Sequence, residues 1–75
     1  MKILLFGELT DITKSAFIEI GTANNIVELK ILVHEKFPAL QNCKYQIAVN
    51  NSLTAENISL NETDEIALIP PFAGG

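Results

Sequence analysis

Two short apolar runs, one at each end of a 75-residue chain, constrain this fold more than any other feature. Residues 2–7 carry Ile3, Leu4, Leu5 and Phe6 in succession. Residues 65–69 read Glu65-Ile66-Ala67-Leu68-Ile69. Side chains alternate across a strand, so Ile3 and Leu5 share one face while Leu4 and Phe6 share the other. A strand apolar on both faces is covered on both, by its own chain or by a partner.

Cover for one face comes from a single helix. Asn25 is a good N-cap, and Glu28 three residues later resembles a capping box. Ile26, Leu29, Val33 and Phe37 follow at helical spacing, with Leu32 beside them. Pro38 ends the run because the residue before a proline is pushed out of the α region. Residues 16–20 form a second strand with Ala16, Ile18 and Ile20 on one face and Phe17 and Glu19 on the other. Gly21 ends it. Glu8 to Ser15 reads as a turn or short helical loop. Residues 45–49 form a third strand, and Asn50-Asn51-Ser52 a hairpin turn, since Asn tolerates positive φ. Leu53-Thr54 is a stub of strand. Ala55 to Asp64 is a polar connection with Ile58 and Leu60 as core anchors.

This order predicts an α+β fold: a mixed sheet of about five strands rolled over one main helix, the β-grasp arrangement. Its first and last strands lie side by side in the middle of the sheet. Ile66 and Leu68 then join Ile3 and Leu5 under the helix. Leu4, Phe6, Ala67 and Ile69 meet on the open face, and that apolar patch calls for a partner. Residues 1–69 form the domain and 70–75 a flexible tail.

Composition narrows the function. A domain this small buries about 60% of its unfolded surface, which leaves little room for a deep active site. No apolar run approaches the ~20 residues of a membrane span, and the start of the chain is too short for a signal peptide. Cys43 is the single cysteine, so the chain is expected in the cytoplasm. Net charge is −4, with nine acids and five bases. All five bases are lysine. Without arginine to read phosphates and guanine edges, nucleic acid is a poor partner; a protein with a basic surface fits better.

The last six residues are Pro70-Pro71-Phe72-Ala73-Gly74-Gly75. The prolines end the strand and hold the backbone extended. From Pro70 the tail reaches roughly 20 Å. Phe72 is its one bulky group, suited to a partner pocket. A Gly-Gly end arises by chance about once in 200 chains, so its meaning comes from its place directly after a well-formed strand. Glycine lets a terminus enter a narrow channel. The terminal carboxylate, with an ordinary pKa of about 3.5, is an anion and a poor electrophile at neutral pH. Adenylation by ATP makes its oxygen a leaving group. A sulfur donor then gives a thiocarboxylate, or an amine gives an amide.

The whole chain resembles the small, sulfur-carrying subunit of molybdopterin synthase. The most specific part is Asp64 through Gly75: acidic turn, apolar strand, double proline, Gly-Gly. Lys2 through Gly7 is similar to that family's first strand, and Val49-Asn50 to its third strand and hairpin. The chain departs from the family at Thr63, where Gly is frequent. The resemblance implies that an adenylating enzyme related to ubiquitin-activating enzymes uses ATP and Mg²⁺ to activate Gly75, and that a sulfurtransferase supplies sulfur. It implies that Pro71, Phe72, Ala73 and Gly74 insert into the large synthase subunit. There the Gly75 thiocarboxylate donates sulfur to cyclic pyranopterin monophosphate in a heterotetramer of two large and two small subunits. Leu4, Phe6, Ala67, Ile69 and Pro70 would form the interface. The chain itself is expected to bind no cofactor and to catalyse nothing.

Rival readings share the tail. The sulfur carrier of thiamin thiazole synthesis also ends in Gly-Gly, but typically lacks the Pro70-Pro71 pair. A ubiquitin-like modifier would join Gly75 to lysines. A plain interaction domain would work without Gly74 and Gly75. Cys43 has no neighbouring His or second Cys to activate it and reads as a partly buried structural residue. His34 reads as solvated, with no second ligand at metal-site spacing. Glu62, Asp64 and Glu65 read equally well as a solvated turn or as a docking site for a basic surface.

Overall fold

The helix at the middle of the chain begins where the side chains can satisfy its free amides. In the computed structural model, which describes residues 1–71, it spans Ile26–Lys36. Here it is named α2, after a shorter helix α1 at Glu8–Thr13. The N–H groups of its first turn all find acceptors. Ile26 N donates to Ile58 O, Val27 N to Asn57 Oδ1, Glu28 N to Asn25 Oδ1 and Leu29 N to Asn25 O. The Glu28 carboxylate reaches back one residue further than in a standard capping box, accepting from Asn24 N at 3.1 Å. Ile26, Leu29 and Val33 face the core.

Five strands surround this helix: β1 (Lys2–Leu5), β2 (Phe17–Glu19), β3 (Gln46–Val49), β4 (Ser52–Thr54) and β5 (Ile66–Ile69). They form one sheet in the order β2-β1-β5-β3-β4. The central pair, β1 and β5, is parallel; the other pairs are antiparallel. This is the mixed β-grasp sheet expected from the element order.

Register explains the two faces. Ile3 pairs with Ile18 and Ile66, Leu5 with Leu68, Ile47 with Leu68 and Val49 with Ile66. These residues are buried beneath α2, and Ile3, Ile66 and Leu68 are wholly inaccessible. At about 25 cal/mol per Å² of apolar surface removed from water, this layer is the main source of stability. The alternate row runs Phe17, Leu4, Ala67, Ala48, Leu53 across all five strands on the opposite face.

Several boundaries differ from the sequence reading. β1 ends at Leu5, although Phe6 N still donates to Leu68 O. β2 is shorter than 16–20, β3 begins at Gln46 and β5 at Ile66. The hairpin turn is only Asn50-Asn51, both at positive φ (52° and 70°), and Ser52 already belongs to β4. That two-residue form matches the right-handed twist of its strands. Residues 8–15 hold the true helix α1, whose Leu9 is fully buried. After Pro38 the chain makes a 3-10 turn, Pro38–Asn42, that buries Leu40. Of the two expected core anchors, Leu60 is buried but Ile58 is exposed. Ile58 serves instead through its carbonyl, which caps α2.

Candidate functional site

Leu4, Phe6, Ala67 and Ile69 come together on the face that α2 leaves bare. They line a groove of about 240 Å³ whose other walls are Ala48, Asn51, Leu53 and Glu65. Phe6, Phe17 and Leu53 are large apolar side chains left 48%, 43% and 59% exposed. Leu53 and Ala48 were not among the residues expected here. The pairing of Ala48 with Ala67 and Leu53 brings them in, and short strands hide that register from sequence. Phe17 was placed on the right face of its strand but not joined to the patch. Lys2 lies over its ring, 4.4 Å from the centroid, so a cation covers part of that surface. A larger cleft of about 500 Å³ lies between β2 and α2, lined by Glu19, Ile20, Gly21, Leu32, Glu35 and Lys36. It is lined by no Ser, Thr, Cys or His and lies apart from β5, the strand that leads into the tail.

The root of the tail is held at the end of β5. Pro70 is half-buried and follows Ile69 directly. Gly7 adopts φ +59°, and a Cβ placed there would stand 2.7 Å from Pro70 Cγ. Two independent demands therefore select glycine: a backbone region that L side chains avoid, and the proline packed against it. The Gly7 carbonyl is also occupied, by Thr10 N and Thr10 Oγ1. The point where the chain leaves the sheet is thus braced from β1 and α1. Pro71 is exposed. The expected roles of Phe72, Ala73, Gly74 and Gly75 fall outside the described residues.

The acidic cluster divides residue by residue. Asp64 accepts from Asn61 N at 2.8 Å and from Asn50 Nδ2 at 3.0 Å. Those bonds, the backbone one first, hold its carboxyl below the ordinary 3.8. Asn50 Oδ1 in turn accepts from Glu65 N, so the residues tie the β3–β4 hairpin to the start of β5. Glu62 accepts from Thr22 Oγ1 at 2.7 Å. The Glu65 carboxylate lies on the groove wall and has no hydrogen-bond partner among the described residues. Thr63 sits in a turn closed by Asp64 N to Asn61 O. It is not among the positive-φ residues, so this turn has no conformational need for glycine.

The remaining candidates are structural. His34 is not simply solvated: it is half-buried, and Nε2 lies 2.8 Å from the Tyr45 hydroxyl, with the rings edge-to-face. Burial raises the Tyr45 hydroxyl above the ordinary 10.0. Cys43 is half-buried against the core, and its thiol points at Ala39 O, 3.6 Å away. Among the described residues, no three of His, Cys, Asp and Glu gather as a metal site, and no helix is long and apolar enough to cross a membrane.

A five-stranded mixed sheet with parallel central strands and one main helix on a single face defines a ubiquitin-like β-grasp protein. Its open face adjoins the strand that leads into the tail. Within that class the chain belongs to the ThiS family, whose model matches residues 3–75. It is 31% identical to the molybdopterin synthase sulfur carrier subunit of Mycobacterium tuberculosis, over 100% of this chain and 96% of that one. Its fold is similar to that of the small archaeal modifier protein SAMP1 of Haloferax volcanii, with TM-score 0.81, 21% identity, and 100% and 98% of the two chains covered. It is also similar to a chain in the complex of subunits 1 and 2 of the molybdopterin-converting factor of Helicobacter pylori. There the TM-score is 0.68 and the identity 29%, with 99% and 96% covered.

Proposed function

We propose that this protein is the sulfur carrier of molybdenum-cofactor biosynthesis and that Gly75 is its working group. One observation carries the reading: an uncovered apolar groove ends at Phe6 and Ile69, beside the braced root of the tail at Pro70. A partner that covers the groove therefore receives the tail as well. The chain is similar along its whole length to a molybdopterin synthase sulfur carrier subunit, and Pro70-Pro71 favours that role over thiazole synthesis.

In this reading an adenylating enzyme joins the Gly75 carboxylate to AMP from ATP and releases pyrophosphate. A sulfurtransferase delivers sulfur at the sulfide level, which attacks the acyl carbon; AMP leaves with the former carboxylate oxygen, and a thiocarboxylate remains. The open face then docks on the large synthase subunit in the cytoplasm. Phe72, Ala73 and Gly74 thread the tail into that subunit. The thiocarboxylate sulfur attacks cyclic pyranopterin monophosphate, and water then cleaves the acyl–sulfur bond, which leaves the sulfur on the pterin and returns Gly75 to a carboxylate. This chain contributes binding, aim and reach; catalytic side chains belong to its partners.

The test is the intact mass of the protein after incubation with host extract, ATP and a sulfur source. Replacement of one oxygen by sulfur, localised to Gly75, is expected. An unmodified terminus, or Gly75 found only in amide linkage to other proteins, overturns the carrier reading in favour of an interaction module or a modifier. Deletion of Gly74 and Gly75 is expected to abolish sulfur transfer while leaving docking to the large subunit intact.

A further inference from the structure

The two edges of the sheet differ. β2 forms one. Leu5 N donates to Ala16 O and Ile20 N to Met1 O, so Ala16, Ile18 and Ile20 bond inward. By the antiparallel alternation, Phe17 and Glu19 direct their backbone groups off the edge. The protein's own side chains occupy three of those four groups. Ser15 Oγ donates to Phe17 O at 2.6 Å and accepts from Phe17 N at 3.3 Å. Lys36 Nζ donates to Glu19 O. An incoming strand finds almost no free ladder there.

β4 forms the other edge. The two-residue turn makes Val49 and Ser52 a hydrogen-bonded pair. Ala48 and Leu53 are then the next, non-bonded pair, and Leu53 turns its N–H and C=O outward. Among the described residues neither group has a partner. The Leu53 side chain, well exposed, is also the rim of the open-face groove. β4 is short but carries no lysine, proline or bulge, three of the devices that blunt a free edge.

We propose that β4 is a docking edge, where the protein covering the open face lays an extended segment against Leu53 and continues the sheet. Leu53 N–H and C=O enter a shared ladder, and its side chain enters an apolar recess of the partner. This deepens the proposed role of the open face and rests on it. The occupant is a different protein. Pairing of two three-residue strands from two copies falls far short of the ~1,000 Å² that a stable interface needs. Each copy also carries net charge −4. Glu65 on the groove wall and Glu56 just past β4 suit a partner with basic side chains around its extended segment.

Amide hydrogen exchange in the complex with the large molybdopterin synthase subunit of the same host tests this. The Leu53 amide is expected to exchange at least tenfold more slowly in the complex than in the free protein. Leu53→Pro removes the Leu side chain and an outward N–H that takes no part in the β3–β4 ladder. It is expected to weaken binding at least tenfold, whereas Leu53→Val changes it less than threefold. A complex that forms with the Leu53 amide exchanging as in the free protein overturns the inference alone. Absence of any complex overturns the partner reading and the inference together. Protection of the Leu53 amide in the free protein that grows with concentration and persists in Phe6→Glu, where open-face association is removed, overturns the choice of a foreign partner in favour of a second copy. If Leu53→Pro fails to fold, the exchange measurement decides by itself.

Discussion

Gly7 is a residue that composition would pass over and geometry makes indispensable. Any L side chain there meets an unfavourable φ, typically about 1–3 kcal/mol, and a Cβ that collides with Pro70 Cγ. Gly7→Ala is expected to lower unfolding free energy in urea by about 2–3 kcal/mol. Adding Pro70→Ala should recover part of that loss, because the pair shares one contact; strictly additive losses would show that the packing is unimportant. His34 gives a pH prediction. Burial first, then the charge of Lys30, holds it below the ordinary 6.5. The folded state therefore takes up its proton less readily than the unfolded chain. The stabilising contribution is complete above about pH 6.5 and is lost as pH falls through the folded-state value. Urea midpoints should decline across that window, and His34→Gln should flatten the decline. Asp64 acts at lower pH: its depressed carboxyl stabilises the fold above the ordinary 3.8 and loses that contribution as pH falls through its folded-state value.

Among the elements, α1 shows why periodicity leaves a short segment open between a turn and a short helix. Six residues give less than two turns, too few for an apolar face to repeat. Its existence rests on Leu9, which enters the core, and on Thr13, whose hydroxyl donates to Leu9 O at 3.1 Å. Leu9→Ala is expected to cost about 3 kcal/mol by leaving a cavity. Circular dichroism during urea unfolding checks this; a loss below about 1 kcal/mol would mean that α1 packs loosely. The 3-10 turn after Pro38 escaped for the same reason, since Leu40 is a single apolar residue in a polar stretch. By contrast α2 was legible in advance, because Asn25, Glu28 and Pro38 mark both its ends and its apolar spacing persists over eleven residues.

For the molecule as a whole, the decisive property is that a five-stranded sheet has one helix and two faces. The row Phe17, Leu4, Ala67, Ala48, Leu53 is covered by no helix or strand among the described residues. The free protein is therefore expected to self-associate weakly at high concentration through this patch. Sedimentation of Phe6→Glu should show a monomer at concentrations where the unaltered protein begins to associate, with the unfolding midpoint little changed because Phe6 is half exposed. A clean monomer of the unaltered protein would count against the patch as a sticky surface. The same substitution is expected to weaken docking to the large synthase subunit at least tenfold, read as a dissociation constant.

Local chemistry is enough to write the strand alternations, the capped helix, the Asn-Asn hairpin, the order that implies a β-grasp sheet, and the proline-led tail. These signals lie within a few residues of each other, and each has a steric or hydrogen-bonding cause. Only the tertiary structure decided how distant residues meet. Gly7 needs Pro70 folded against it, Asp64 needs Asn50, and His34 needs Tyr45. The contrast between a plugged edge at β2 and an open one at β4 depends in part on where Lys36 lands once the sheet has closed. Such pairings are set by register and packing across separations that no local pattern encodes.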